Sequence, residues 1–273
     1  MKPVLLAFLA LAVACQTQPS AQQDLGPDAQ EDAQQDAHGH SHSHDHGHDH
    51  DHDHGKDKAD CPYAEGHGMH TADHSFEDVE KWAPIFDAPD RDAWQKPEEL
   101  VTALEIAPGS TVVDVGAGTG YFNAYLSLAV GPGGKVIALD AEPAMVQHVA
   151  ARIEAEGLAN VEARETPVDK VNLALSEADF ALMVNTYHHV KDRPAYFGQL
   201  LYAVVLGGRL AVVDYKPGDT PHGPAAKVRV SPETVKSELE QAGWIFQKSL
   251  DLLPEQYVLI FSAPEKANEN PNG

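Results

Sequence analysis

The chain has 273 residues and a formal net charge of -23, from 42 acidic and 19 basic side chains. Binding to a phosphate backbone needs a basic face, so this balance sets nucleic acid aside as a partner. With two cysteines, Cys15 and Cys61, a disulfide-stapled scaffold is set aside as well.

Residues 1–15 read MKPVLLAFLALAVAC, one lysine and an apolar run that ends in small residues before Cys15. A run this short does not cross roughly 30 Å of hydrocarbon as a helix, so it predicts a secretory signal. Its end, Leu11-Ala12-Val13-Ala14-Cys15, resembles a bacterial lipobox, with Ala12 where leucine is commoner. The resemblance implies lipidation of Cys15 and an exported protein held at a bacterial membrane through its lipid alone. Gln16 at the next position implies the periplasm-facing outer membrane or the cell surface. The alternative is an ordinary secretory signal with an incidental cysteine.

Residues 16–74 are predicted to be a disordered linker. Through Asp60 they hold almost no large apolar side chain, and so cannot bury enough surface to offset the entropy of ordering. Eleven acids and two lysines fall between Gln16 and Asp60. Within this stretch His38, His40, His42, His44, His46, His48, His50, His52 and His54 alternate with Gly, Ser or Asp. Neutral imidazoles on a flexible chain wrap Zn, Ni or Cu ions without a preformed site, and release them as pH falls through about 6.5. A solvated low-complexity spacer is the competing reading. Cys61 with His67, His70 and His74 is a weaker candidate for a second metal site.

The folded part is expected over 75–263, about 190 residues and enough for one domain with a sizeable core, with a disordered tail over 264–273. It opens with Phe76, Trp82, Phe86 and Trp94 in an otherwise polar segment, followed by a helix over Glu98 to Leu104. These aromatic rings either form a cap over a ligand or staple the arm to the domain. Next comes Thr111-Val112-Val113-Asp114-Val115-Gly116-Ala117-Gly118-Thr119-Gly120: a β-branched strand, a glycine turn, then a helix over Tyr121 to Val130. Glycine lets the backbone turn sharply and lets a ligand approach, and the helix start offers unpaired N–H donors to an anion. The following strand, Gly134 to Asp140, ends in an acid twenty residues beyond Gly120, where a βαβ nucleotide site bonds ribose hydroxyls.

The rest alternates in the same way. A helix is predicted over Glu142 to Glu156, a strand over Asn160 to Arg164 and a strand over Ala178 to Val184. A helix over Pro194 to Val205, a strand over Gly208 to Asp214 and a helix capped by Ser231 follow. Two closing runs, Trp244 to Ser249 and Gln256 to Ser262, suggest an antiparallel hairpin at one edge. Near-continuous apolar strands between helices mean a parallel sheet covered on both faces.

Asp114-x-Gly-x-Gly-x-Gly followed by Asp140 resembles the class I S-adenosylmethionine (SAM)-dependent methyltransferases, as do Leu206-Gly207-Gly208 before the fifth strand and the late helix ending in Ala242-Gly243-Trp244. The resemblance covers Trp94 to Phe261. It implies an α/β fold, a Rossmann-like three-layer α/β/α sandwich whose seven-stranded, mostly parallel sheet has an antiparallel last strand. It implies SAM as cofactor and a small-molecule methyl acceptor. By position, Asp114, Gly116, Ala117, Gly118 and Gly120 would hold the methionine end of SAM and Asp140 the ribose. Ala141 and Met145 would flank adenine, Glu165 or Thr166 would touch its edge, and Asn185 would lie beneath the methionine. His188 or His189, at the end of the fourth strand, would act as base where the acceptor carries a proton; each has packing or solvent exposure as its alternative. Asp214 and Tyr215 are further candidates.

SAM is made in the cytosol, whereas residues 1–15 direct the chain out of it. The intact glycine loop and Asp140 favour retained SAM binding. The alternative function is that of an exported metal-binding lipoprotein whose methyltransferase-like domain is non-catalytic.

Overall fold

The structure, a computed structural model, describes residues 75–265. The expected signal with Cys15, the linker, the histidine tract from His38 to His54, Cys61 with its neighbouring histidines, and residues 266–273 of the tail lie outside the described residues.

The N-terminal arm forms α1 (Val79–Phe86), α2 (Arg91–Gln95) and α3 (Pro97–Ala103). The alternating core follows as β1 (Thr111–Val115), α4 (Asn123–Val130), β2 (Lys135–Asp140), α5 (Pro143–Glu156), β3 (Val161–Glu165) and β4 (Ala178–Val184). Then come α6 (Arg193–Ala203), β5 (Val204–Tyr215), α7 (Pro232–Gln241), β6 (Ile245–Leu250) and β7 (Gln256–Ser262). Single 3-10 turns lie at Tyr187–His189 and Ala226–Val228.

The seven strands make one sheet in the order β3-β2-β1-β4-β5-β7-β6. The pairs from β3 to β5 are parallel, and β7 runs antiparallel between β5 and β6. The expected hairpin is therefore present, with its second strand one place in from the edge. Alternate residues of each strand feed two cores. Val113, Val115, Met183, Leu210 and Val212 pack with Phe197, Leu200, Val235 and Leu239 on one face. Val112, Val136, Phe180, Leu182 and Ala211 pack with Leu100, Leu104, Leu126 and Val130 on the other. Period-2 alternation makes a two-faced sheet of this kind need cover on both sides.

Two boundaries differ from expectation. The helix after the glycine loop starts at Asn123 rather than Tyr121, because Tyr121 and Phe122 still belong to the turn in which Asn123 N bonds Gly120 O. The helix expected to reach Val205 ends at Ala203, since Val204 is buried in β5 and pairs with Ala178. β-Branched residues favour the pleated surface when a neighbouring strand is available.

Ser231 caps α7 as expected, its Oγ accepting from Thr234 N at 3.2 Å. Ser231→Ala is expected to cost about 1 kcal/mol, a fall of roughly 2–4 °C in the melting temperature of a domain this size. Thermal denaturation of the full chain checks it.

Candidate active site

The strand order reverses between β1 and β4, and the crevice at the carboxyl ends of those strands is where open α/β sheets bind ligands. The glycine loop lies in that crevice. Gly116, Gly118 and Gly120 have φ of +73°, +56° and +78°, backbone that L side chains rarely adopt. A Cβ on Gly116 would stand 2.4 Å from Thr186 Cγ2, just past the end of β4. Gly116 N and Ala117 N bond Leu139 O, tying the loop to β2.

The acid ending β2 closes onto this loop. Gly118 N donates to Asp140 Oδ2 at 2.7 Å and Glu142 N to Asp140 Oδ1 at 2.9 Å. Burial raises the Asp140 carboxyl above the usual carboxylate range, and these backbone bonds pull it back. Asp114, 3 % exposed, is pushed up to about 7 by burial and then by the neighbouring Asp140 charge, while Arg91 opposes the shift. The site is thus two facing acids with little solvent, a setting that favours a cationic ligand.

The N-terminal arm covers the loop. Phe76 packs edge-on against Trp82 at 5.1 Å and tilted against Phe86 at 5.6 Å, and Phe86 Cδ2 lies 3.6 Å from where a Gly118 Cβ would be. Arg152 Nη1 donates to Asp87 Oδ2 at 3.3 Å and to Thr119 O at 3.2 Å, while Thr119 Oγ1 donates to Asp87 Oδ1. The Arg91 guanidinium sits 3.8 Å over the Tyr121 ring. These contacts staple the arm to the domain at the glycine loop, while Trp94 packs against Tyr215 and His222.

Three amides tie the arm to the strand ends. Gln95 Nε2 donates to Gln256 Oε1 at 2.6 Å, Gln256 Nε2 donates to Asn185 Oδ1, and Asn185 Nδ2 reaches Gln95 Oε1 at 3.4 Å. Asn185 holds φ +57°, and Asn tolerates that conformation better than most residues. Its amide, expected beneath a methionine, belongs to this ring.

Of the other expected contacts, Ala117, within the loop, and Ala141 are half-buried and Met145 is buried. Glu165 is exposed. Thr166 is buried with its hydroxyl engaged in its own turn, donating to Lys170 O at 2.8 Å and accepting from Asn172 N at 3.1 Å.

The structure separates the two histidines. His188 is 4 % exposed and its Nδ1 lies 2.9 and 3.0 Å from the two carboxylate oxygens of Asp214. A carboxylate only accepts, so Nδ1 is the nitrogen that donates, and in the neutral ring the lone pair is then on Nε2. Asp214, 1 % exposed, is held by His188 N at 3.2 Å and Tyr215 N at 2.8 Å. His189 instead meets Phe76 edge-on at 5.4 Å and the His188 ring at 4.2 Å. Sequence reasoning missed a second imidazole–carboxylate pair, His222 Nδ1 to Glu255 Oε1 at 3.0 Å, with the His222 ring stacked 4.6 Å from Trp94. It also missed Gln95, Gln256 and Arg91. No local pattern marks them, because their partners are far away in the chain.

Among the described residues, no group of three His, Cys, Asp or Glu side chains is placed to hold a metal ion, and no helix is long and apolar enough to cross a membrane.

The sheet order, the antiparallel β7 and the glycine loop facing Asp140 define the Rossmann-like fold of SAM-dependent methyltransferases. Residues 112–208 match the family model described as a methyltransferase domain. Among solved structures, the chain is similar to a SAM-dependent methyltransferase from Aquifex aeolicus, with 28% identity and a TM-score of 0.65, covering 68% of this chain and 98% of that one. Among curated proteins, it is 27% identical over 109 residues to an arsenite methyltransferase of Halobacterium salinarum, covering 40% of this chain and 28% of that protein. It is 37% identical over 62 residues to a protein-L-isoaspartate O-methyltransferase of Aeropyrum pernix, covering 23% of this chain and 24% of that protein. The chain spans about a third or less of the length of the curated relatives it matches.

Proposed function

We propose that this chain transfers a methyl group from SAM to a small-molecule acceptor. The observation that carries the reading is the left-handed three-glycine loop meeting Asp114 and Asp140 at the switch point of the sheet. A side chain on Gly116 would strike Thr186, and the facing acids suit a ligand bearing a sulfonium, an ammonium and a ribose. Asp114, Gly116, Ala117, Gly118 and Gly120 would hold the methionine end, and Asp140 the ribose hydroxyls. Ala141 and Met145 would flank adenine, Glu165 or Thr166 would touch its edge, and Asn185 would lie beneath the methionine.

SAM supplies an electrophilic methyl group on sulfur; the protein's part is to align a nucleophile and keep water out. The packed rings of Phe76, Trp82 and Phe86 would help keep water out. His188, oriented by Asp214, is better placed as base than His189, whose ring packs against Phe76.

Both cysteines, Cys15 and Cys61, precede the described domain, which therefore offers no thiolate to a soft metalloid. That favours an organic acceptor over an arsenite-like one. The reading extends to location, with Cys15 lipidated and the domain exported, and to transition-metal affinity in the histidine tract. The nine alternating histidines support the second reading, a metal-binding lipoprotein with a non-catalytic domain.

Calorimetric titration of SAM and S-adenosylhomocysteine into the full chain tests the proposal. Micromolar binding is expected, weakened by about 10²-fold in Asp140→Ala, which removes a charged partner of two ligand hydroxyls. Absence of binding by the wild type overturns the enzyme reading and leaves the histidine tract as the functional centre.

A further inference from the structure

The amide ring of Gln95, Gln256 and Asn185 bears on how the site holds its ligand, an inference that rests on the methyltransferase reading above. The ring gathers three elements that are far apart in the chain. Gln95 is the last residue of α2, Gln256 is the first of β7 and pairs with Tyr215 at the end of β5, and Asn185 follows directly on β4. Gln95 and Gln256 are fully buried. Apolar side chains in their place would have no polar groups to satisfy, whereas a buried amide costs stability as soon as it loses a partner. What a satisfied ring adds is a single orientation for each of its members.

The direction of the ring follows from its neighbour on the arm. Arg91 Nη2 donates to Gln95 Oε1 at 3.4 Å, and Arg91 Nη1 donates to Phe86 O. A guanidinium only donates, so the oxygen of Gln95 must face Arg91 and its nitrogen must face Gln256. Gln256 then accepts with Oε1 and donates with Nε2 to Asn185 Oδ1, and Asn185 Nδ2 closes the ring on Gln95 Oε1. Turning the Asn185 amide over would set Oδ1 against Gln95 Oε1 and Nδ2 against Gln256 Nε2. The backbone of Asn185 is held too, its N–H donating to Val213 O at 2.9 Å at a φ of +57°. The next residue, Thr186, fills the space beside Gly116. Asn185 therefore meets the arm through its side chain and the glycine loop through its neighbour.

We infer that Gln95 and Gln256 are positioning residues of the cofactor site, holding the Asn185 amide in one orientation with one Nδ2 hydrogen left to donate to the methionine end of SAM. Arg91 sets the direction of the ring. Because Gln95 belongs to α2, that orientation requires the arm to be docked.

The test uses the full chain and two ligands, S-adenosylhomocysteine and 5′-methylthioadenosine, which share adenosine and its 5′ sulfur and differ in the amino-acid end. Gln256→Glu keeps the side chain's shape and the bond from Gln95, but its carboxylate has no hydrogen for Asn185 Oδ1. At about pH 8 its affinity for S-adenosylhomocysteine is expected to fall about tenfold, the effect of one positioned amide bond, with affinity for 5′-methylthioadenosine kept within about twofold. Burial raises a carboxyl's pKa, so lowering the pH toward about 5 is expected to protonate the introduced acid and return a donor to Asn185. The deficit, taken against wild type at the same pH, should then shrink. Gln256→Met, which can neither donate nor accept as an amide does, is expected to show the same split between ligands with no recovery at low pH, and it supplies the comparison where Gln256→Glu does not fold. A merely structural loss would weaken both ligands and would not recover. Equal weakening of the two ligands, unchanged affinity for S-adenosylhomocysteine in both variants, or a Gln256→Glu deficit indifferent to pH overturns the inference. Failure of the wild type to bind S-adenosylhomocysteine overturns the methyltransferase reading instead.

Discussion

Asp114→Asn is expected to flatten the pH dependence of the domain's stability between about pH 4 and pH 7 and to abolish measurable SAM binding. The Asp114 carboxyl stands at about 7 in the folded chain against an ordinary value of 3.8. Below about pH 4 the group is protonated in both the folded and unfolded states. Between the two values the folded chain keeps a proton that the unfolded chain has lost, so stability falls as pH rises. At about 1.4 kcal/mol per unit the loss amounts to roughly 4 kcal/mol once the pH passes 7. The group is fully buried, so solvent screening does not discount that figure appreciably. Denaturant titrations of the full chain at pH 5 and pH 8 check it: the wild type should be the less stable at pH 8, and the variant should lose most of that difference. Asp140 is raised in the same direction, so the observed midpoint belongs to the pair.

The same acid makes cofactor binding proton-linked. A cationic ligand beside Asp114 favours the carboxylate, so binding below pH 7 should release a proton and affinity should rise with pH until the group is ionised. Calorimetry in buffers of different ionisation enthalpy measures that proton. Equal apparent enthalpies in all buffers at pH 6 would show that Asp114 does not meet the ligand's charge.

The second large effect is expected at Gly116. Gly116→Val places a Cβ 2.4–3.0 Å from three side-chain atoms of Thr186 at a φ of +73°. The hydroxyl of Thr186 is bonded to Val184 O, so its side chain does not swing aside without losing that contact. Backbone strain of about 1–3 kcal/mol adds to the clash, and the loop must shift away from the Leu139 carbonyl that holds Gly116 N and Ala117 N. SAM affinity should fall by at least about 10²-fold, since a displacement of about 1 Å is enough to spoil a positioned site. Gly157→Ala is the control. That residue closes α5 at φ +68°, and a Cβ added there would have nothing within 4 Å, so the substitution should cost about 1 kcal/mol of stability and leave SAM affinity unchanged. Loss of affinity in both variants would mean that global destabilisation, and not the loop, is being measured.

How much of this could be seen in advance depends on the range of each interaction. The β1 strand, its glycine loop and Asp140 were legible because they occupy a stretch of thirty residues, from Thr111 to Asp140, in which local sterics and strand periodicity decide the conformation. The capped start of α7 and the closing hairpin were legible for the same reason: a capping serine acts three residues away, and β6 and β7 are adjacent in the chain. The helix start at Asn123 and the early start of β5 at Val204 were not, since each depends on a neighbour outside the local window.

The amino-acid sequence by itself determined the alternation of strands and helices, the parallel sheet they require, the glycine loop and its facing acid, because backbone pattern follows short-range sterics and apolar periodicity. Only the tertiary structure decided which side chains meet. The register of β4 on β5 set Asp214 beside His188 and so gave two adjacent histidines different surroundings. The arrival of β7 next to β5 brought Gln256 within reach of Gln95 and Asn185, partners 161 and 71 residues away. Such pairings are fixed by packing across the whole fold, and no spacing within a single segment encodes them.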